Sequence, residues 1–468
     1  MFDSPREACG VFGVYAPGED VSRLTFFGIY ALQHRGQESA GIATADGQRI
    51  RLHTNMGLVS QVFEERDLER LTGHAAIGHT RYSTTGSSKA ANAQPLMARG
   101  PDGELALAHN GNVVNALELR AELQQQGVEF VTTTDSEVIA WLIATAPGKN
   151  WQERLHFAMT RLRGAYSLTI LTKDSLIAVR DPLGVRPLSL GRLNGGWVVA
   201  SETCALDHLG AALESDVQPG EAIIINADGI TRFQAVESER RASCVFEQIY
   251  FSRPDSRMNG RLVYQAREAM GAQLAIEHPV EADLVTGVPD SATAAGLGYA
   301  RKSGIPYTEV LLKNRYVGRT FIQPDQRLRD LGVRLKFNPL TEVLKGKRVI
   351  VVDDSIVRGT TTPHVVSLLR RAGATEVHLR ICAPPIQWPC HFGVDMATRG
   401  ELIAAQKSVE EIRKFVGADT LGYLSTGGLA KAVVNGHANA GDYCMACFTG
   451  KYPIPVQLEL DKFALEMV

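Results

Sequence analysis

Three groups of residues in this chain have types and spacings that could do chemistry. The first is Cys9, followed by Gly10 at the head of a short apolar segment, CGVFGV, where a thiol beside an accessible backbone could serve as a nucleophile. An inert buried thiol is the commoner fate of a lone cysteine. The second is the acidic pair Asp353 and Asp354 within VIVVDDSIVRGTTT, Val349 to Thr362. An apolar run without alternation, two carboxylates, a small-residue turn and then Pro363 in a helical first turn place this pair at the carboxyl edge of an open α/β sheet. Backbone N–H groups there suit a phosphate, and the carboxylates can accept hydrogen bonds from sugar hydroxyls. In other doubly wound folds, acids at this place hold a metal or cap a helix. The third is Cys444-Met445-Ala446-Cys447, a spacing found in metal, iron–sulfur and redox sites, with structural zinc the first rival.

Elements able to position such groups surround them. Phe26 to Leu32 reads as a helix ended by His34-Arg35-Gly36-Gln37. AAIGHTRYSTTG (Ala75–Gly86) runs a short strand into Arg81 and Tyr82, and ALAHNGNVVN (Ala106–Asn115) runs one into Asn110 and Gly111. TTTDSEV (Thr132–Val138) sets Asp135 in a Ser/Thr-rich turn before a helix. EAIIINADGITRF closes a β segment from Glu221, and the charged ESERR after it puts a domain boundary near residue 240. Beyond it, DLVTGVP (Asp283–Pro289) reads as a buried strand leading through Ser291 into a small-residue helix, and AGATEVHLRI (Ala372–Ile381) supplies the next strand, so the βαβ alternation of a parallel sheet holds. Between them, Lys313 to Phe337 carries Lys313, Arg315, Arg319 and Arg327. A solvated surface loop is the plain reading of such a segment; beside two phosphate-type motifs it also reads as a lid.

Composition bounds the rest. At 468 residues the chain is too long for one ordinary core, and 44% hydrophobic with 21% charged residues describes a globular protein. A formal net charge of −2 gives no general case for nucleic acid or an anionic membrane. The polar start MFDSPREAC and the lack of a long apolar run predict a cytoplasmic location. Seven cysteines in such a chain do not form a disulfide framework. Cys204 and Cys382 read as core.

In this order, Cys9, the segment Phe26–Ile42, Arg81, Asn110-Gly111 and Asp135, followed by RDPLGVRPL (Arg180–Leu188) and ASET (Ala200–Thr203), resemble the class II glutamine amidotransferases over about residues 9 to 235. Val349–Thr362 resembles the phosphoribosyl-pyrophosphate (PRPP) motif of type I phosphoribosyltransferases, and the stretch after Asp283 resembles their pyrophosphate loop. The contexts CVFEQIYFSRPDS, PPIQWPC and YCMACFTGKYP resemble the iron–sulfur branch of the amidophosphoribosyltransferases, and with this the likeness covers almost the whole chain.

The resemblance implies an N-terminal-nucleophile glutaminase domain, an αββα sandwich of residues 9–240, after a propeptide of residues 1–8. An α/β phosphoribosyltransferase domain with a mainly parallel sheet follows over 241–468. It implies that glutamine and PRPP yield 5-phosphoribosylamine, glutamate and pyrophosphate, opening purine synthesis. Cys9 would be the nucleophile, its freed α-amine (pKa about 7.7–8.0) the base. Asn110 and Gly111 would form the oxyanion hole, Arg81 would hold the α-carboxylate of glutamine and Asp135 its α-ammonium. Ser291, Asp353 and Asp354 would take Mg²⁺ and PRPP, with Ser355, Gly359, Thr360 and Thr361 on the 5-phosphate and Lys313 in the lid. Cys244, Cys390, Cys444 and Cys447 would hold a [4Fe–4S] cluster in a structural role. Tyr264 is a candidate wall for an ammonia path; feedback by purine nucleotides and a homotetramer follow from the family. Another class II amidotransferase would lack the acidic-pair motif, and a non-catalytic PRPP-binding regulator would have no use for Cys9, Arg81, Asn110 and Asp135 together.

Overall fold

A computed structural model describes residues 9–82, 87–314, 337–394, 398–434, 438–456 and 464–466. The expected propeptide 1–8 and the lid residues Arg315, Arg319 and Arg327 lie outside the described residues. The N-terminal half is built on two antiparallel sheets. Their strands are β1 (Gly10–Tyr15), β2 (Ser39–Ala45), β3 (Ile50–Met56), β4 (Ala75–Arg81), β5 (Leu96–Gly100), β6 (Gly103–Val113), β7 (Gly164–Leu171), β8 (Leu176–Arg180), β9 (Ser189–Leu193), β10 (Gly196–Ala200), β11 (Ala212–Asp216), β12 (Glu221–Asn226) and β13 (Gly229–Gln234). The first sheet runs β11-β9-β10-β1-β4-β2-β3 and the second β13-β12-β8-β7-β6-β5.

Strand alternation divides the side chains between two layers. Val11 and Tyr15 of β1 join Ile77, Ala106, Ala108 and Leu176 in the layer between the sheets. Phe12 and Val14 face the other way, onto the cluster that holds Ile29 and Leu32, in and just after helix α1 (Val21–Ala31). On the far side, α2 (Ala116–Gln125), α3 (Asp135–Ala144) and α4 (Trp151–Arg161) cover the second sheet through Leu119, Val138, Ile139 and Leu155. Helix, sheet, sheet, helix is the expected sandwich.

In the C-terminal half, β14 (Leu284–Gly287), β15 (Arg348–Asp353), β16 (Glu376–Ile381) and β17 (Thr420–Tyr423) pair in parallel, in that order. Val349, Ile350, Val351 and Val352 are all 0% exposed: Ile350 and Val352 pack into one cluster, Val349 and Val351 into another. That two-sided burial is why the run shows no alternation. Helix α7 (Thr362–Arg371) follows β15, with Pro363 in its first turn. Among the described residues no helix is long and apolar enough to cross a membrane.

Two helices before β15 lie backbone against backbone: α5 (Val263–Glu277) and α6 (Thr293–Ser303). A Cβ at Gly271 would stand 1.8 Å from the carbonyl oxygen of Ala295, and one at Gly298 would stand 1.9 Å from that of Glu268. Helix propensity alone favours alanine over glycine by about 0.8–1.0 kcal/mol. The contact reverses that sign: Gly271→Ala should lower stability by about 1–3 kcal/mol, read as a drop in the thermal unfolding midpoint. A stabilised variant would show that the helices do not meet there.

Candidate functional site

β1 brings Cys9 to the end of the first sheet, beside the last residues of its neighbour β4. The Cys9 thiol is buried; it donates to the Tyr82 carbonyl at 3.3 Å and accepts the Tyr82 N–H at 3.5 Å. Burial pushes its pKa up, against the pull of Tyr82 and of the Arg81 guanidinium. One pocket is lined by Cys9, Arg81, Tyr82, Gln94, His109, Gly111, Thr134, Asp135 and Ser136. Cys9, Arg81, Gly111 and Asp135, from four separated motifs, thus share one cleft, while Asn110 lies behind its lining.

The far wall comes from β6 and α3. Thr134 caps α3 by accepting the Glu137 N–H, and Asp135 in its first turn accepts the Val113 N–H at 3.0 Å. Gly111 has φ +148°, and a Cβ there would stand 2.0 Å from the Ala165 carbonyl oxygen, so only glycine fits. Asn110 is fully buried, and neither its Nδ2 nor its Oδ1 has a hydrogen-bond partner. Leaving such a group unpaired costs about 1–3 kcal/mol, which marks a group kept for something other than stability. Arg81 is also buried; its Nη1 donates to the Ser87 carbonyl at 3.3 Å and lies 3.9 Å from Glu38.

Behind Cys9 lies a set of charges with no side-chain exposure, Arg35, Arg186, Glu202 and Glu247. Arg35 Nε donates to the Cys9 carbonyl at 3.0 Å, while its other nitrogens reach Glu202 at 2.5 Å and Glu247 at 2.7 and 2.9 Å. Arg186 adds a donor to Glu247 at 3.1 Å and two to the Phe392 carbonyl, at 3.1 and 3.0 Å. Burial opposes the charge on Glu202 and Glu247, yet the cationic neighbours overcome it and hold both carboxyls below their ordinary range. Sequence reasoning missed these four. A charged residue in a loop, as in His34-Arg35, RDPLGVRPL or ASET, reads as surface until its partner is known.

Glu247 opens a π-helical turn, Glu247–Phe251, and belongs to the C-terminal half. From the same turn the path continues to the acidic pair. Arg267 on α5 donates to the Gln248 carbonyl at 3.0 Å and the Ser252 carbonyl at 2.7 Å; burial lowers its pKa, and the Asp354 charge works against that.

The acidic pair itself is unequal. Asp353 is half-buried and accepts the Asp354 N–H at 2.9 Å. Asp354 is buried, and its two oxygens accept hydroxyl hydrogen bonds from Ser291 and Ser355, both at 2.6 Å. Asp353 is the last residue of β15 and Asp354 lies just beyond it where the chain bends, so two acids that look alike in sequence stand in different surroundings. Gly359 has φ +71° in the turn before α7, Thr360 is exposed and Thr361 precedes the helix. Lys313 is ion-paired with Asp290, next to Ser291. Tyr264 sits half-buried on the first turn of α5.

The cysteines of the third group also converge. Ser243–Cys244 and Tyr443–Cys444 form a short parallel ladder with Cys244 opposite Cys444. The Cys447 carbonyl accepts the N–H groups of Gln387 and Trp388, drawing in the segment that carries Cys390. All four are free thiols. Burial pushes Cys244 up to about 11 and Cys444 up to about 12, and Cys447 well above its ordinary value, the other cysteines of the set adding to each shift. Among the described residues, no group of three or more His, Cys, Asp or Glu has the spacing of a metal site. Cys204 and Cys382 are buried elsewhere, Cys382 directly after β16.

A family model described as "Glutamine amidotransferase domain" matches residues 79–208. Similar over the full length is the amidophosphoribosyltransferase of Synechococcus elongatus, 52% identical, with 100% of this chain and 96% of the relative covered. That of Bacillus subtilis is 49% identical over 96% of this chain and 95% of its own length. A solved structure of the B. subtilis glutamine PRPP amidotransferase, complexed with ADP and GMP, superposes with a TM-score of 0.90 at 48% identity, covering 96% of this chain and 98% of that one.

The buried charges generate a prediction independent of any activity. Removing one partner of such a pair leaves the others uncompensated, typically at a cost of about 3–5 kcal/mol. Glu247→Ala should therefore lower the urea midpoint steeply, with Glu247→Gln in between. A Glu247→Ala protein as stable as the parent would mean the pair is not formed.

Proposed function

From the premise that this chain belongs to the amidophosphoribosyltransferase family, we propose that it divides the transfer of the glutamine amide nitrogen to PRPP between the Cys9 pocket and the Asp353–Asp354 turn. The observation that carries the first half is Asn110, an unpartnered buried amide beside the strained Gly111 and in the sheet facing Cys9. The Cys9 sulfur attacks the side-chain carbonyl of glutamine. The Asn110 side chain and the Gly111 N–H receive the oxyanion; removing one such donor typically costs about 2.7–4 kcal/mol of transition-state stabilisation. Arg81 takes the α-carboxylate and Asp135 the α-ammonium. A propeptide ending at Ala8 would free the Cys9 α-amine to accept the thiol proton.

The intermediate collapses with cleavage of the C–N bond, releasing ammonia and leaving a Cys9 thioester that water hydrolyses to glutamate; the ammonia then displaces pyrophosphate at C1 of PRPP. Asp353, the more exposed acid, faces the ribose, while Asp354 holds Ser291 and Ser355 in place through its two short hydrogen bonds. Ser355, Gly359, Thr360 and Thr361 offer N–H and hydroxyl groups to the 5-phosphate, and Lys313 exchanges Asp290 for pyrophosphate. Ser291, Asp353 and Asp354 are the residues that would hold Mg²⁺, which when bound neutralises charge on the leaving pyrophosphate. Tyr264 remains the candidate wall of the path between the sites. The nucleotides named in the B. subtilis structure support feedback by purine nucleotides, and we extend the family reading to a homotetramer.

The gathering of Cys244, Cys390, Cys444 and Cys447 supports a [4Fe–4S] cluster. Cys244 and Cys447 are buried and Cys390 and Cys444 half-buried, and thiols gathered in this way gain most from a cation that takes them as thiolates. The cluster would bind the start of the C-terminal half to its end.

Two measurements test this reading. Cys9→Ala should abolish PRPP-dependent glutamate release and keep ammonia-dependent synthesis of the amine; loss of both in a folded protein would sink the two-site division. Cys444→Ser should remove the cluster's visible absorption and lower the unfolding temperature, and an unchanged temperature after cluster loss would rule out the structural role.

A further inference from the structure

One contact at the glutamine pocket is made from the far end of the chain. Leu465 is 3% exposed and belongs to the apolar cluster that α2, α3 and α4 form on the second sheet. Beside it, Glu466 accepts the Ser87 N–H at 2.7 Å and the Thr133 hydroxyl at 3.4 Å. These two partners sit on the segments that carry the pocket's charged groups. The Ser87 carbonyl accepts Arg81 Nη1, and Thr133 directly precedes Thr134, the cap of α3, and Asp135. Asn92, 1% exposed, cross-braces the same two segments: its Nδ2 donates to the Ser87 carbonyl at 2.9 Å and to Thr133 Oγ1 at 3.0 Å, and its Oδ1 accepts the Thr133 N–H at 3.1 Å. The hydrogen bonds therefore run in one direction, from Asn92 through the Thr133 hydroxyl to the Glu466 carboxylate. An ionised acceptor at the end of such a chain strengthens it.

We propose that Glu466 is a positioning residue for glutamine: seated by Leu465, its carboxylate spans Ser87 and Thr133 and fixes the distance between Arg81 and Asp135. The proposal rests on the reading that those two residues hold the α-carboxylate and α-ammonium of the substrate. A free amino acid presents its two charges at one fixed separation, so a pocket whose cation and anion are pre-set loses less on binding it. The contribution falls on capture of glutamine and not on the acceptor site, which shares none of these residues.

The test compares Glu466→Gln and Leu465→Asp with the parent enzyme. The expected result is a KM for glutamine raised several-fold in Glu466→Gln and about tenfold in Leu465→Asp, with ammonia-dependent synthesis at saturating PRPP unchanged. Inhibition by glutamate, which carries the same α groups, should weaken in parallel. Glu466 is exposed and glutamine is its isostere, so the fold is not at stake in that variant. A glutamine KM within twofold of the parent in both variants overturns the proposal, as does an equal fall in the glutamine- and ammonia-dependent rates. Arg81→Ala separates the two levels. If it leaves the KM for glutamine unchanged, the underlying reading has failed; if it raises the KM while the other two variants do not, only the role of Glu466 has.

Discussion

The pair Arg35–Glu247 is the constraint on which the rest of the molecule depends. It joins residues 212 positions apart, without side-chain exposure, and Arg35 spends its remaining donors on Glu202 and on the carbonyl of Cys9. With Arg186 the group holds two cations and two anions, so it is neutral as a whole although each member is costly to bury alone. Such a group tolerates little displacement, because every shift leaves a charge without water and without a partner. The main chain of Cys9 is accordingly set by a carboxylate from the other half of the chain.

That arrangement gives a physical route between the two sites. Asp354 acts on Arg267, Arg267 binds the π-helical turn, the turn presents Glu247, and Glu247 orients Arg35 on Cys9. From Arg267 to Cys9 the links are charge-assisted hydrogen bonds in a dry interior, where such contacts are stronger than at a surface, and the Asp354 charge acts on Arg267 through space. The apolar packing follows the same line: Ala165 and Val185 share a cluster with Phe246, Phe392, Cys447 and Phe448. Core and charges both run through the junction.

Much of this was legible in the sequence, for reasons that differ by element. The run Val349–Val352 declared its two-sided burial by its lack of alternation, and the strand ending at Arg81 announced its polar terminus, whereas the strand carrying Asn110 runs on to Val113. The small-residue helix after Ser291 showed its glycines, though not that Gly271 and Gly298 let two backbones touch. What stayed hidden depends on partners far apart in the chain. Arg35 and Glu202 read as solvated because a lone charge carries no mark of its partner. Asp353 and Asp354 read as equals because a motif does not say which way each side chain turns. Glu466 lies in a tail with no motif.

Gly393 adds a last consequence. At φ +91°, its missing Cβ would stand 2.6 Å from the backbone of Gly111, so the loop carrying Cys390 rests directly on the peptide that faces Cys9. Asn112 confirms the closeness by donating to the His391 carbonyl at 2.9 Å. Parts that interlock at this range do not behave as interchangeable modules. A chimera joining this N-terminal half to an acceptor half of different ancestry would have to import Gly393 and Glu247 along with it. A fusion that preserves only the order of the domains would inherit a pocket with one wall out of true.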